Sequence, residues 1–175
     1  MAIEFTLVAG SISQGEKLKM LFSELPQLPS IGVVTSGAIA RIYPGRIVDL
    51  MGLNNPTIAH FKGDRKGMKN HAAFEKDAFF VVEPDVLLAS PPIPPKRRNR
   101  YILWLKDIFN DGRFIKNWRY GILLARSHPD RKVEWFFDHR FLQKLRETPE
   151  YEFHETMKWS GKWVETAVAK GAQGR

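Results

Sequence analysis

The sequence predicts an α/β class domain: a layered structure with a mixed, mainly parallel sheet flanked by helices, followed by a C-terminal hairpin. Three observations predict it. Short apolar, β-branched runs recur at Ser30–Ser36 (SIGVVTS), Arg46–Leu50 (RIVDL) and Asp85–Ala89 (DVLLA), as strands buried on both faces require. Segments of helical spacing separate them, which is the alternation that parallel strands need for their crossovers. Trp118–Arg126 (WRYGILLAR) and Lys132–Phe136 then flank the turn Ser127–Asp130, the pattern of an antiparallel hairpin.

The elements follow in order. Ser13-Gln-Gly-Glu16 matches a capping box, in which the Ser13 hydroxyl accepts from the Glu16 backbone N–H and the Glu16 carboxylate reaches back, so a helix is expected to start there. Leu18, Leu21, Phe22 and Leu25 continue it at helical spacing until Pro26 and Pro29 stop it. After the second strand, Asn55 is placed to cap a short helix with Pro56 at its first position. Lys62–Asn70 (KGDRKGMKN) reads as an exposed loop, His71–Phe80 as a helix broken by Pro84, and Ser90–Arg100 (SPPIPPKRRNR) as an extended surface excursion. Tyr101–Phe109 is helix-like through Ile102, Leu105 and Phe109. Phe141, Leu142 and Leu145 suggest a further helix, and Glu152–Lys170 a last one, supported by Trp159 and Trp163 four apart.

With 175 residues, the chain is long enough for one domain that buries about 70% of its unfolded surface, and neither an internal repeat nor a second core is visible. One domain over residues 1–175 is therefore expected, complete or excised from a larger protein. The net charge of +8 suits an anionic partner such as nucleic acid, a lipid headgroup or a phosphorylated substrate. The chain has no cysteine, which excludes thiol catalysis, disulfides and thiolate zinc sites. No stretch approaches the roughly 18 apolar residues of a membrane-spanning helix, and the start lacks the basic and apolar regions of a signal peptide.

Motifs of common cofactor chemistry are missing as well. Neither GxGxxG nor GxxxxGK[ST] occurs, so nicotinamide and nucleoside-triphosphate sites lack support and no cofactor is expected. GxSxG is absent, which leaves no visible hydrolase nucleophile. His60 and His71 with Asp49, Asp64 and Asp77 lack any metal-ligand spacing such as HExxH, so no metal is expected.

The phrases IGVVTSGAIARIYPGRIVDLMGLNNPTIAH, then His71 within FKGDRKGMKNHAAFEK, then VVEPDVLLAS carry a more specific signal through their order and spacing. They comprise Gly37-Ala38-Ile39, Asp49, Gly52-Leu53-Asn54, Ile58-Ala59, His71 with Lys76, and Pro84-Asp85, with a looser match at Phe114–Tyr120. This region resembles the soluble carboxyl-terminal part of bacterial multi-spanning membrane glycosyltransferases that use polyprenyl-phosphate sugars, a group including arabinofuranosyl- and mannosyltransferase-like proteins. It departs from that pattern at Ala40, Arg41 and Asn70. The resemblance implies a non-catalytic domain on the extracytoplasmic face of a bacterial membrane, recognising a glycan acceptor or positioning a lipid-linked sugar donor. It also implies ligand contacts at Asp49, Asn54, His71 and Lys76, and a membrane surface or membrane-spanning domain as partner.

Each candidate has a plainer reading. Asp49, at the carboxyl end of a strand, stands where open α/β sheets contact ligands, yet its carboxylate equally suits capping of the turn Met51–Asn54. Lys96, Arg97, Arg98 and Arg100 beside Tyr101 and Trp104 suit a solvated loop, an anionic membrane surface and, last, single-stranded nucleic acid. Trp135, Trp159 and Trp163 offer sugar-stacking planes, but their expected role is core packing. The alternative to the glycosyltransferase-associated domain is a free-standing cytoplasmic α/β protein that acts on a small phosphorylated ligand or binds nucleic acid.

Overall fold

A computed structural model describes residues 2–34, 36–62, 75–91, 105 and 107–161. Helix α1 (Ala2–Leu21) leads to strand β1 (Ile31–Val33), the single-turn helix α2 (Ile39–Ile42), strand β2 (Ile47–Asp49) and the short helix α3 (Pro56–Ala59). Helix α4 (Lys76–Val82), strand β3 (Val86–Leu87), helix α5 (Gly112–Asn117) and the hairpin β4 (Trp118–Ala125) and β5 (His128–Asp138) follow. Helix α6 (His139–Arg146) and strand β6 (Tyr151–Met157) complete the described elements. Leu105 and residues 107–109 are also helical.

The sheet is mixed and open, with strand order β2-β1-β3-β5-β4-β6. The three short apolar runs of the first half are adjacent, as their composition predicts: β1 pairs in parallel with both β2 and β3. The expected balance does not hold, because the pairings β3–β5, β4–β5 and β4–β6 are antiparallel and outnumber the parallel ones. The hairpin does not simply add an edge. Its strand β5 joins the parallel part by pairing with β3, and β6 adds on the far side of β4; the longest ladder is β4–β5, whose strands are joined by a short turn.

Two cores lie on opposite faces of this sheet. Val48, Phe79, Phe109, Phe114, Trp118, Phe136 and Trp159 pack together on one side, with Ile58 of α3. Leu18, Phe22, Ile31, Val33, Leu123, Phe137, Phe141 and Leu145 pack on the other, beneath α1 and α6. Consecutive Phe136 and Phe137 belong to different cores, since successive side chains of a strand point to opposite faces. Trp159 is buried and its indole Nε1 donates to the Phe109 carbonyl at 2.9 Å, which is the core role expected of it. Trp163 lies outside the described residues.

Two local expectations are corrected. Ser13 does not begin a helix: it lies inside α1, which starts at Ala2. A Ser and Glu three apart form a capping box only where the preceding backbone is non-helical, and here the helix runs straight through. Glu152 onward is not helical in its described part, because Tyr151–Met157 is a strand paired with β4 in the register Leu123↔Phe153. Tyr151 and Phe153 alternate with Glu152 and His154 and pack on one face, while Met157, past an irregularity in the ladder, packs on the other. By contrast, Asn55 caps α3 as its sequence predicts, its Oδ1 accepting from the Ile58 N–H at 3.3 Å.

Candidate functional site

The carboxyl ends of the parallel strands bring Asp49 and Asn54 together with Ser36. Asp49 Oδ1 accepts from the Met51 N–H at 3.0 Å, and Oδ2 accepts from the Asn54 N–H at 3.0 Å and the Ser36 hydroxyl at 3.3 Å. The Asn54 amide donates to Ser36 Oγ at 3.1 Å and to Asp49 Oδ2 at 3.4 Å. Gly52 turns within this loop at φ +78°, and a Cβ there would stand 3.1 Å from the Ala59 backbone nitrogen. Asp49 is 2% exposed, so its carboxylate holds the turn after β2.

Lys76, at the start of α4, is engaged by Asp111 at 3.2 Å. Asp111 caps α5 by accepting from the Arg113 N–H at 2.9 Å, and the Arg113 guanidinium also binds Asp111 and Asp77 while lying 3.9 Å above the Phe80 ring. These hydrogen bonds from Arg113 hold the Asp111 carboxyl well below the usual carboxylate range. Lys76 thus belongs to an ion-pair cluster tying α4 to α5. His71 and the basic residues Lys96, Arg97, Arg98 and Arg100 lie outside the described residues. No group of three or more His, Asp or Glu able to hold a metal occurs among the described residues, and none of their helices is long and apolar enough to cross a membrane.

A different place in the fold offers space for a ligand. An open groove of about 770 Å³ runs between α6 and the β4–β6 edge of the sheet. Its floor is Leu123, Tyr151 and Phe153; His139, Gln143 and Arg146 come from α6; Arg119, Arg126 and Glu155 come from or follow the two strands. His139, Gln143 and Arg146 stand at i, i+4 and i+7, a spacing that lines one flank of a helix. Leu142 and Leu145 anchor that helix in the core and also reach the groove.

The backbone of β4 helps to shape the floor. Gly121 carries no side chain where a Cβ would stand 2.7 Å from the Phe153 ring, so the ring lies across this strand and meets Phe137 edge-on at 5.5 Å. Tyr151 gives its ring to the floor and its hydroxyl to the interior, donating to the Leu21 carbonyl at 2.9 Å. Burial pushes its hydroxyl up to about 12.

The polar lining includes three arginines, Arg119, Arg126 and Arg146, and two glutamates, Glu152 and Glu155. Arg119 is anchored through Nη1, which donates to the carbonyls of Lys116 and Trp118, each at 2.9 Å. Arg126 binds Glu152 at 3.4 Å, and the second carboxylate oxygen of Glu152 meets His154 at 2.9 Å. Arg119 and Arg146 form no ion pair among the described residues.

Sequence reading alone passes over this groove. The stripe His139, Gln143, Arg146 is visible in HRFLQKLR, and Arg119 and Arg126 flank the apolar run of β4. What faces that stripe becomes clear only once Tyr151–Met157 is a strand. No family model, no curated protein and no solved structure matches the chain.

Proposed function

We propose that this chain is a non-catalytic carbohydrate-recognition domain, serving a membrane glycosyltransferase by binding a glycan acceptor or positioning a lipid-linked sugar donor at an extracytoplasmic membrane face. The observation that carries the reading is the groove between α6 and β6. Its volume of about 770 Å³ lies within the range of small-ligand sites. Phe153, over buried Leu123 and Tyr151, supplies apolar surface for the C–H faces of sugar rings, and Gln143, Glu155 and the arginines supply planar donors and acceptors for hydroxyls. The ordered phrases from Ile31 to Leu88 support the glycosyltransferase association. In this reading Lys96, Arg97, Arg98 and Arg100 rest on anionic headgroups, each contributing on the order of 1 kcal/mol.

The test is a titration of the isotope-labelled chain with arabinan- and mannan-derived oligosaccharides, run beside an assay for polyprenyl phosphate release from a lipid-linked donor in anionic vesicles. Chemical-shift changes are expected at Gln143, Phe153 and their neighbours, weakened several-fold by Gln143→Ala, with no release of polyprenyl phosphate. Shifts confined to other regions, or turnover of the donor, would replace this reading. A second reading, a free-standing protein with a small phosphorylated ligand, is favoured by the arginines of the same groove.

A further inference from the structure

We infer that the ligand of the α6–β6 groove carries an oxyanion, a phosphate or a carboxylate on the sugar, held by Arg119. This inference rests on the carbohydrate reading above and narrows its substrate class. The first support is Arg119. Its Nη1 is already committed to the carbonyls of Lys116 and Trp118, which holds the guanidinium in place, while Nε and Nη2 have no hydrogen-bond acceptor among the described residues. A planar fork fixed at one corner presents two parallel N–H groups at little further entropic cost, the geometry that phosphate and carboxylate accept bidentately.

The second support is the balance of charge. Arg119, Arg126 and Arg146 line the groove together with Glu152 and Glu155. Glu152 is occupied on both oxygens, by Arg126 and by His154, so that pair leaves little net field of its own. Arg119 and Arg146 then face the single remaining carboxylate, Glu155, with neither ion-paired to it. The buried apolar side chains of the floor lie beneath this residual positive charge and screen it less than water would. Glu155 is left to accept from sugar hydroxyls, which an inorganic anion would not offer.

The experiment compares α-D-glucose 1-phosphate, D-glucuronate, D-glucose and inorganic phosphate by calorimetry and by shifts of groove resonances at low and high salt. At least one anionic sugar is expected to bind about tenfold or more tightly than D-glucose, with affinity falling as salt rises. Arg119→Lys should reduce that preference by about tenfold, the lysine keeping the charge but not the fork, and Arg146→Gln should reduce it through the lost positive field. D-glucose bound as tightly as both anionic sugars would overturn this inference and leave the carbohydrate reading standing. Inorganic phosphate bound as tightly as glucose 1-phosphate would uphold the anion site and overturn the carbohydrate reading. No binding of any probe in the groove would overturn both.

Discussion

Tyr151 joins the α6–β6 groove to the interior through one side chain. Its ring is part of the groove floor, and its hydroxyl donates to the Leu21 carbonyl at the end of α1. Below pH 10 the phenol is neutral in the folded and the unfolded chain and contributes no pH dependence. Above that, the unfolded chain loses the proton at the ordinary value near 10, whereas burial keeps the folded one protonated to about 12. Stability is therefore expected to fall as pH rises from 10 to about 12, with Tyr43 adding to the fall because burial raises its hydroxyl as well. An ultraviolet phenolate titration of the native protein against Tyr151→Phe checks this, and a Tyr151 component titrating near 10 would contradict it. Asp49 shows the other side of reading single residues. Both readings, ligand contact and turn cap, are legible in its position; the bonds that hold the turn are in place, and Ser36, 13 residues earlier, adds a further donor that local sequence does not reveal.

At the scale of elements, α6 is an eight-residue helix, too short to be stable alone, and it carries the flank of the groove. It is set in place by its cap. Buried Asp138 accepts from the Arg140 N–H at 2.9 Å and from its Nε at 3.0 Å, and Arg140 reaches Glu83 at 2.8 Å, beyond the end of α4. Asp138→Ala is expected to cost about 1–2 kcal/mol, measured by urea unfolding, and to speed amide exchange in α6 more than in β4 or β5. Uniform acceleration across the sheet would show instead that Asp138 supports the hairpin as a whole. The helix itself is legible from Phe141, Leu142 and Leu145, whereas the strand state of β6 is not, because its seven residues mix exposed Glu and His with the apolar ones and its partner lies on a separate hairpin.

Over the whole molecule, one sheet separates two cores, so damage to either side should be felt by both. Phe22 is fully buried on one face and Phe136 on the other. Phe22→Ala and Phe136→Ala are each expected to cost about 3–5 kcal/mol while a single unfolding transition is kept by far- and near-ultraviolet circular dichroism alike. Two separated transitions in either variant would mean that the layers fold independently.

The α/β class, the three short central strands, the hairpin and the Asn55 cap were all determined by the sequence itself, because each follows from local period, β-branching or turn chemistry within about ten residues. Tertiary structure alone decided the balance of parallel and antiparallel pairing, the strand state of Tyr151–Met157 and the place of the groove. Those outcomes depend on which ladder a segment joins. The energy of a strand pair resides in cross-strand contacts such as Leu123 with Phe153, 30 residues apart, and in a glycine whose missing side chain makes room for a ring on the neighbouring strand.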